Sequence, residues 1–135
     1  MRIPAIASLV LTLFLVSCVS QRYAANKNSQ ASAQQWLAAQ NQDPAVNITG
    51  RWHTTNWKFA AFVQGDRRIN GQVGKYTAYG KASGSRVYLV LSEGGLVKDS
   101  LILTMPNSST LKGYYSPSVP FDTANQTPVT FTLLK

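Results

Sequence analysis

The sequence is poor in the side chains that catalysis and metal binding use. It has one Cys, one His and five carboxylates, of which Glu93 is the only Glu. One Cys forms no internal disulfide, and with a single His it rules out zinc ribbons and other Cys-rich metal folds. No nucleophile elbow, P-loop or paired-carboxylate motif occurs. His53 adjoins Trp52. In an extended segment, neighbours point to opposite faces, so an inward Trp52 leaves His53 on the surface without triad or metal partners. The expectation is a protein that is not an enzyme, has no cofactor and holds no metal. Acidic residues are also scarce beside the 13 Lys and Arg, which gives a formal net charge of +8. Apolar runs are short: the longest, Ile3 to Val16, contains Pro4, Ser8 and Thr12 and falls below the about 20 residues a membrane helix needs.

That run follows Arg2 and has the length and flanks of a secretory signal. It ends in Leu15-Val16-Ser17-Cys18. These four residues resemble the bacterial lipobox. The resemblance implies that Cys18 is alkylated through its thiol with diacylglycerol, becomes the first mature residue and carries palmitate-like acyl chains. Its partner is then a membrane, reached through an N-terminal lipid anchor. Val19 stands where an Asp would retain a sorted lipoprotein elsewhere, which implies the outer membrane, facing the periplasm. Removal of Arg2 lowers the net charge to +7. A basic body held in the envelope is drawn to anionic headgroups and polymers. Export makes nucleic acid an improbable partner.

The chain divides into a signal peptide at 1–17, a lipidated tether at 18–49 and a folded body at 50–135. The tether is rich in Ser, Gln, Asn and Ala, and to about Gln30 it buries too little apolar surface to order itself. A short helix is predicted near 32–42, capped by Ser29 or Ser32 and discouraged from continuing by Pro44. A helix this short is unstable alone, so Trp36 is expected to dock it on the body.

From Gly50 onward polar and apolar residues alternate. Turn signals recur at Gln64-Gly65-Asp66, Gly74-Lys75, Ser83-Gly84-Ser85, Glu93-Gly94-Gly95 and Pro106 to Ser109. Spacing of mostly eight to twelve residues is the signature of an antiparallel meander. Trp57, Phe59, Ala61 and Val63 fall in one phase of the alternation, and Ala60, Phe62 and Gln64 in the other. The predicted fold is all-β: a small antiparallel meander barrel of about eight short strands, preceded by a short helix and a tether. Gly71, Ala78, Gly80 and Gly113 fall in the inner phase, where small residues fit a crowded interior and a sharply coiled sheet. A flat sandwich is the alternative.

Gly50-Arg51-Trp52 opens the meander. Gly-X-Trp at the head of a first strand resembles the calycins, the lipocalins and avidins, and implies a barrel whose Trp plugs the closed end. The final strand carries no Arg and no second family motif follows, so no ligand residue is carried over. From Trp36 to Tyr115 the pattern is also similar to small uncharacterised bacterial lipoproteins, which implies a fold and a location but no activity.

Aromatic residues are the remaining candidates for binding. Trp52, Trp57, Tyr79, Tyr88 and Tyr114 are the candidate ligand-binding residues. The three tyrosines share the polar face of their strands with Arg67, Arg68, Lys75, Lys81, Arg86 and Lys112. The expected function is a binding module for an envelope ligand, apolar or glycan-like. The alternative is a structural, interaction or inhibitor protein that works through its outer surface. A filled barrel argues against an interior ligand, and an open apolar mouth argues for one.

Overall fold

The computed structural model describes residues 28–135. The signal peptide, the lipobox and Cys18 lie outside the described residues. One helix, α1 (Gln30–Ala38), precedes eight strands: β1 (Gly50–Thr54), β2 (Lys58–Gly65), β3 (Arg68–Val73), β4 (Tyr76–Ser83), β5 (Arg86–Glu93), β6 (Leu96–Asn107), β7 (Thr110–Ser116) and β8 (Thr127–Leu133). Each strand pairs antiparallel with the next, and β8 returns to pair with β1 through Trp52↔Leu133 and Thr54↔Phe131. The sheet is a closed barrel, so it has no exposed edge to recruit another strand. The flat sandwich is thereby set aside.

Short turns close this meander. Two residues each link β2 to β3, β3 to β4, β4 to β5, β5 to β6 and β6 to β7. Gly94 and Gly95 both have positive φ (58° and 80°), a conformation Gly adopts without steric penalty. The inner phase is as expected. Ala60, Phe62, Ile69, Val73, Ala78, Val87, Leu89, Leu91, Leu101, Leu103, Leu111 and Phe131 form one continuous buried cluster. At Gly80 a Cβ would collide with the Tyr88 carbonyl. Bare Cα atoms at Gly80, and likewise at Gly71 and Gly113, let adjacent strands coil tightly enough to close a narrow barrel.

The alternation fails at one place. Trp57 shares a sequence phase with Phe59 and Val63, yet only these two lie exposed on the outside. Trp57 sits in the β1–β2 turn, and Lys58 after it has φ +68°. That left-handed residue breaks the period of two. It sends the indole over the barrel end, 4.9 Å from the Tyr115 ring and stacked 6.2 Å from Phe131.

Helix α1 starts two residues before the predicted position and stops at Ala38, well before Pro44. Ser29 caps it, its hydroxyl accepting the Ser32 N–H at 3.0 Å. Ala33 is fully buried against Val90, Val97 and Val119 on the outside of the barrel. Trp36 docks edge-on against Tyr88, ring centroids 5.7 Å apart. A nine-residue helix with so little amphipathic character is held by this contact rather than by its own propensity.

The turns define two ends. Asn28 and Gln30 are fixed beside the β5–β6 turn and the β7–β8 connection: Asn28 donates to the Lys98 and Pro117 carbonyls (3.2 and 2.7 Å) and accepts the Val119 N–H at 2.9 Å, and Gln30 donates to Gly95. This is the entry end. From α1 the chain runs to the opposite end, where Asp43, Pro44 and Ala45 pair with Gly84. It then crosses that end as a strap and enters β1. Ile48 of the strap is fully buried in the core.

Candidate functional site

At the strap end, Trp52 is 1 % exposed, and its indole N–H donates to the Ile48 carbonyl at 3.0 Å. Gln64 lies in the inner phase of β2 after Ala60 and Phe62. Its Oε1 accepts the Ile48 N–H at 3.0 Å, and its Nε2 donates to the Val46 and Asp66 carbonyls at 2.7 and 2.8 Å. One buried amide therefore ties the strap to the β2–β3 turn, with donors and acceptor all used. In the sequence Gln64 opens a turn signal and also shares the phase of Ala60 and Phe62. Its inner phase was the clue that it faces inward.

At the entry end the plug is aromatic. Trp57, Tyr76 and Tyr115 pack on the core there. Two polar groups, Thr54 and Asp99, lie toward the same end. The hydroxyl of Thr54 is buried with no hydrogen-bond partner among the described residues. Asp99 pairs in register with the inward Leu91. Burial raises its carboxyl above the usual range, and the neighbouring Lys98 ammonium only partly opposes this.

Trp52 is thus part of the closed interior, whereas Trp57 is partly buried where it packs on the core at the barrel end. The three tyrosines stay on the outer face, in different settings. Tyr79 is half-buried against the α1 contact, and burial raises its phenol above the ordinary value. Tyr88 lies under Trp36. Tyr114 is 44 % exposed further round the barrel.

Of the five candidates, Tyr79 lines an outer groove beside the helix. This cleft of about 560 Å³ lies between α1 and strands β3 and β4. Leu37 and Ala38 form its apolar wall and Tyr79 and Asn70 its floor, with Arg67, Arg68 and Lys81 around it. Arg67 is pinned by Asp43 at 3.0 Å. Arg68 and Lys81 sit directly opposite each other across β3 and β4, and among the described residues neither has a carboxylate within ion-pair distance. Like charges placed directly across two strands repel and cost stability, so an anion between them would relieve a standing penalty. Gln34, Leu37 and Asn70 were not expected in a site. The groove exists because α1 leaves part of the β3–β4 surface uncovered, and alternation within strands carries no sign of that.

A second outer feature runs through consecutive register pairs. Lys81↔Tyr88, Tyr88↔Ile102, Ile102↔Tyr114 and Tyr114↔Pro128 place one aromatic and aliphatic row across β5 to β8. Arg86, Thr104 and Lys112 form the adjacent row. His53 is exposed on the outer face, as expected. Among the described residues no three His, Cys, Asp or Glu side chains converge. No described helix is long and apolar enough to cross a membrane. The barrel itself is apolar inside and charged outside, the reverse of a membrane-spanning barrel.

No family model, curated protein or solved structure matches the chain.

Proposed function

We propose that the protein is an outer-membrane lipoprotein, anchored through Cys18 and facing the periplasm, and that it binds an envelope ligand without transforming it. The site is the groove between α1 and β3–β4, and the ligand is an anionic glycan or a glycan-like headgroup. The Arg68–Lys81 pair carries this reading: two cations without an ion-pair partner among the described residues face each other beside an aromatic ring and an apolar helix wall. Cations bind phosphate or carboxylate, and the Tyr79 ring offers a face to a sugar. The core supports an external site, because side chains from all eight strands fill the interior. Trp52 in the strap end is what the calycin-like reading expects, while a continuous cluster of buried side chains occupies the interior where a hollow barrel would hold apolar cargo. Signal and lipobox rest on residues 1–18 and the tether on residues 18–49, and the scarcity of His and carboxylates supports a non-catalytic role.

The experiment is isothermal titration with a phosphorylated glucosamine disaccharide and its neutral counterpart. The phosphorylated sugar binds in the micromolar to millimolar range, and Arg68→Gln with Lys81→Gln weakens it about tenfold, or about 1.4 kcal/mol. Equal binding of both sugars, or no effect of the double variant, contradicts the assignment.

The Tyr88–Ile102–Tyr114–Pro128 row favours a second reading, a protein partner held on the outer surface. Aromatic rows are common anchors in interfaces. Tyr114→Ala would then abolish capture of a purified partner while leaving the disaccharide titration unchanged.

A further inference from the structure

The barrel is electrically polarised along its axis, and the polarity is set relative to the point where the chain enters. Alternating turns assign each charged residue to one half. In the strap half, Arg67, Arg68, Lys81 and Arg86 lie at or near the β2–β3 and β4–β5 turns. Arg51, Lys112 and Lys135 lie in the same half on β1, β7 and the end of the chain. Only Asp43 and Asp66 oppose these seven cations, which leaves +5. In the entry half, Lys58, Lys75 and Lys98 meet Glu93, Asp99 and Asp122, which leaves zero. Lys75 and Glu93 are paired there at 3.4 Å. The neutral half also exposes Leu96 at 60 %. All the net side-chain charge of the described residues therefore sits away from Asn28, which hydrogen bonds hold at the entry end.

We infer that the protein stands with its neutral end toward the membrane that anchors it and offers its basic end to an anionic polymer on the far side, so that it bridges the two. The inference rests on the reading of Cys18 as the lipidated residue. Nine residues lie between Cys18 and Asn28, and the ten steps they span reach no more than about 35 Å even fully extended. Strands of eight residues, tilted in a barrel, give the body a height of about 20 Å. In the upright arrangement the basic end lies about two Debye lengths beyond the entry end, so its own leaflet is screened from it. To reach that leaflet the body must invert and the tether must run back along its side, which consumes more than half of its full extension. A polymer carrying repeated carboxylates or phosphates on the far side meets the cations with no such cost.

The test uses the full acylated chain in phosphatidylcholine vesicles, floated on a density gradient with fluorescent polygalacturonate. The polymer floats with the wild-type protein at least tenfold above protein-free vesicles. Arg68→Gln with Lys81→Gln and Arg86→Gln brings it close to background, whereas Lys58→Gln with Lys75→Gln and Lys98→Gln retains it. Adding one-quarter phosphatidylglycerol to the vesicles changes capture by less than twofold. Equal loss in the two triple variants overturns the polarity. Loss of polymer on adding phosphatidylglycerol shows the basic end lying on its own leaflet and overturns the orientation. If the acylated chain fails to float, the anchor reading fails and the bridge with it. Solution anisotropy of Cys18→Ala with the same polymer then decides the charge polarity separately. Polyphosphate in place of polygalacturonate distinguishes a phosphorylated polymer from a carboxylated one.

Discussion

The two ends of the barrel bury polar groups in different ways. At the strap end Gln64 is 8 % exposed, and its side chain reaches three backbone partners. Trp52 likewise spends its one N–H on Ile48. At the entry end Thr54 buries a hydroxyl without a partner among the described residues, and Asp99 holds a carboxylate whose charge burial disfavours. A satisfied buried network fixes one geometry, and an unsatisfied group costs its desolvation. The strap end is therefore the rigid end, and it is also where the cations and the groove lie. The entry end is closed by aromatic rings that need no directional partner.

Removing the strap-end indole breaks this contrast most severely. Trp52→Ala costs about 3–5 kcal/mol in denaturant unfolding, while the partly exposed Trp57→Ala costs markedly less. Equal costs would mean that the two ends are held alike. Next is Gln64→Ala, which orphans the Ile48 N–H and two carbonyls and costs about 1–3 kcal/mol. Hydrogen exchange accelerates at Ile48 while the amides of β5 stay protected. Uniform acceleration would show that the strap is not a separate unit.

The entry end predicts substitutions of opposite sign. Thr54→Val keeps the shape and removes the unpartnered hydroxyl, so stability rises by about 1 kcal/mol. A loss would reveal a partner for that hydroxyl. The smallest effect is expected at Asp99. Its folded carboxyl titrates above the unfolded one, so the folded state binds more protons in the window just above the usual carboxylate pKa. Stability from this group is complete below that value and falls as pH rises through the folded pKa. Asp99→Asn consequently gives a small rise in melting temperature at pH 7 and none at pH 3. A drop at pH 7 contradicts an inward, desolvated carboxylate.

Much of the architecture was legible in the residues. The period of two, the Gly-containing turns at Gly74, Gly84 and Gly94-Gly95, and the small inner residues Gly71, Ala78 and Gly80 specify short coiled strands. Closure of the sheet was legible only as a preference, because β8–β1 pairing joins residues about eighty positions apart that carry no local mark of each other. Trp57 was misplaced because one residue in the left-handed region, Lys58, inverts a phase that alternation assumes to be continuous. Tyr79, Arg68 and Lys81 were named from their outer phase. The groove that unites them was not legible, since it depends on where α1 settles, and α1 is positioned by Ala33 and by Asn28, contacts distant in sequence.

The central claim is that binding takes place outside a filled barrel. Amide and methyl NMR spectra of the protein saturated with the phosphorylated disaccharide test it most directly. The account predicts shifts grouped at Leu37, Arg68, Asn70, Tyr79 and Lys81, with the inward methyls of Leu89, Leu101 and Leu103 unmoved. Shifts concentrated on those inward methyls, with the groove silent, would contradict it.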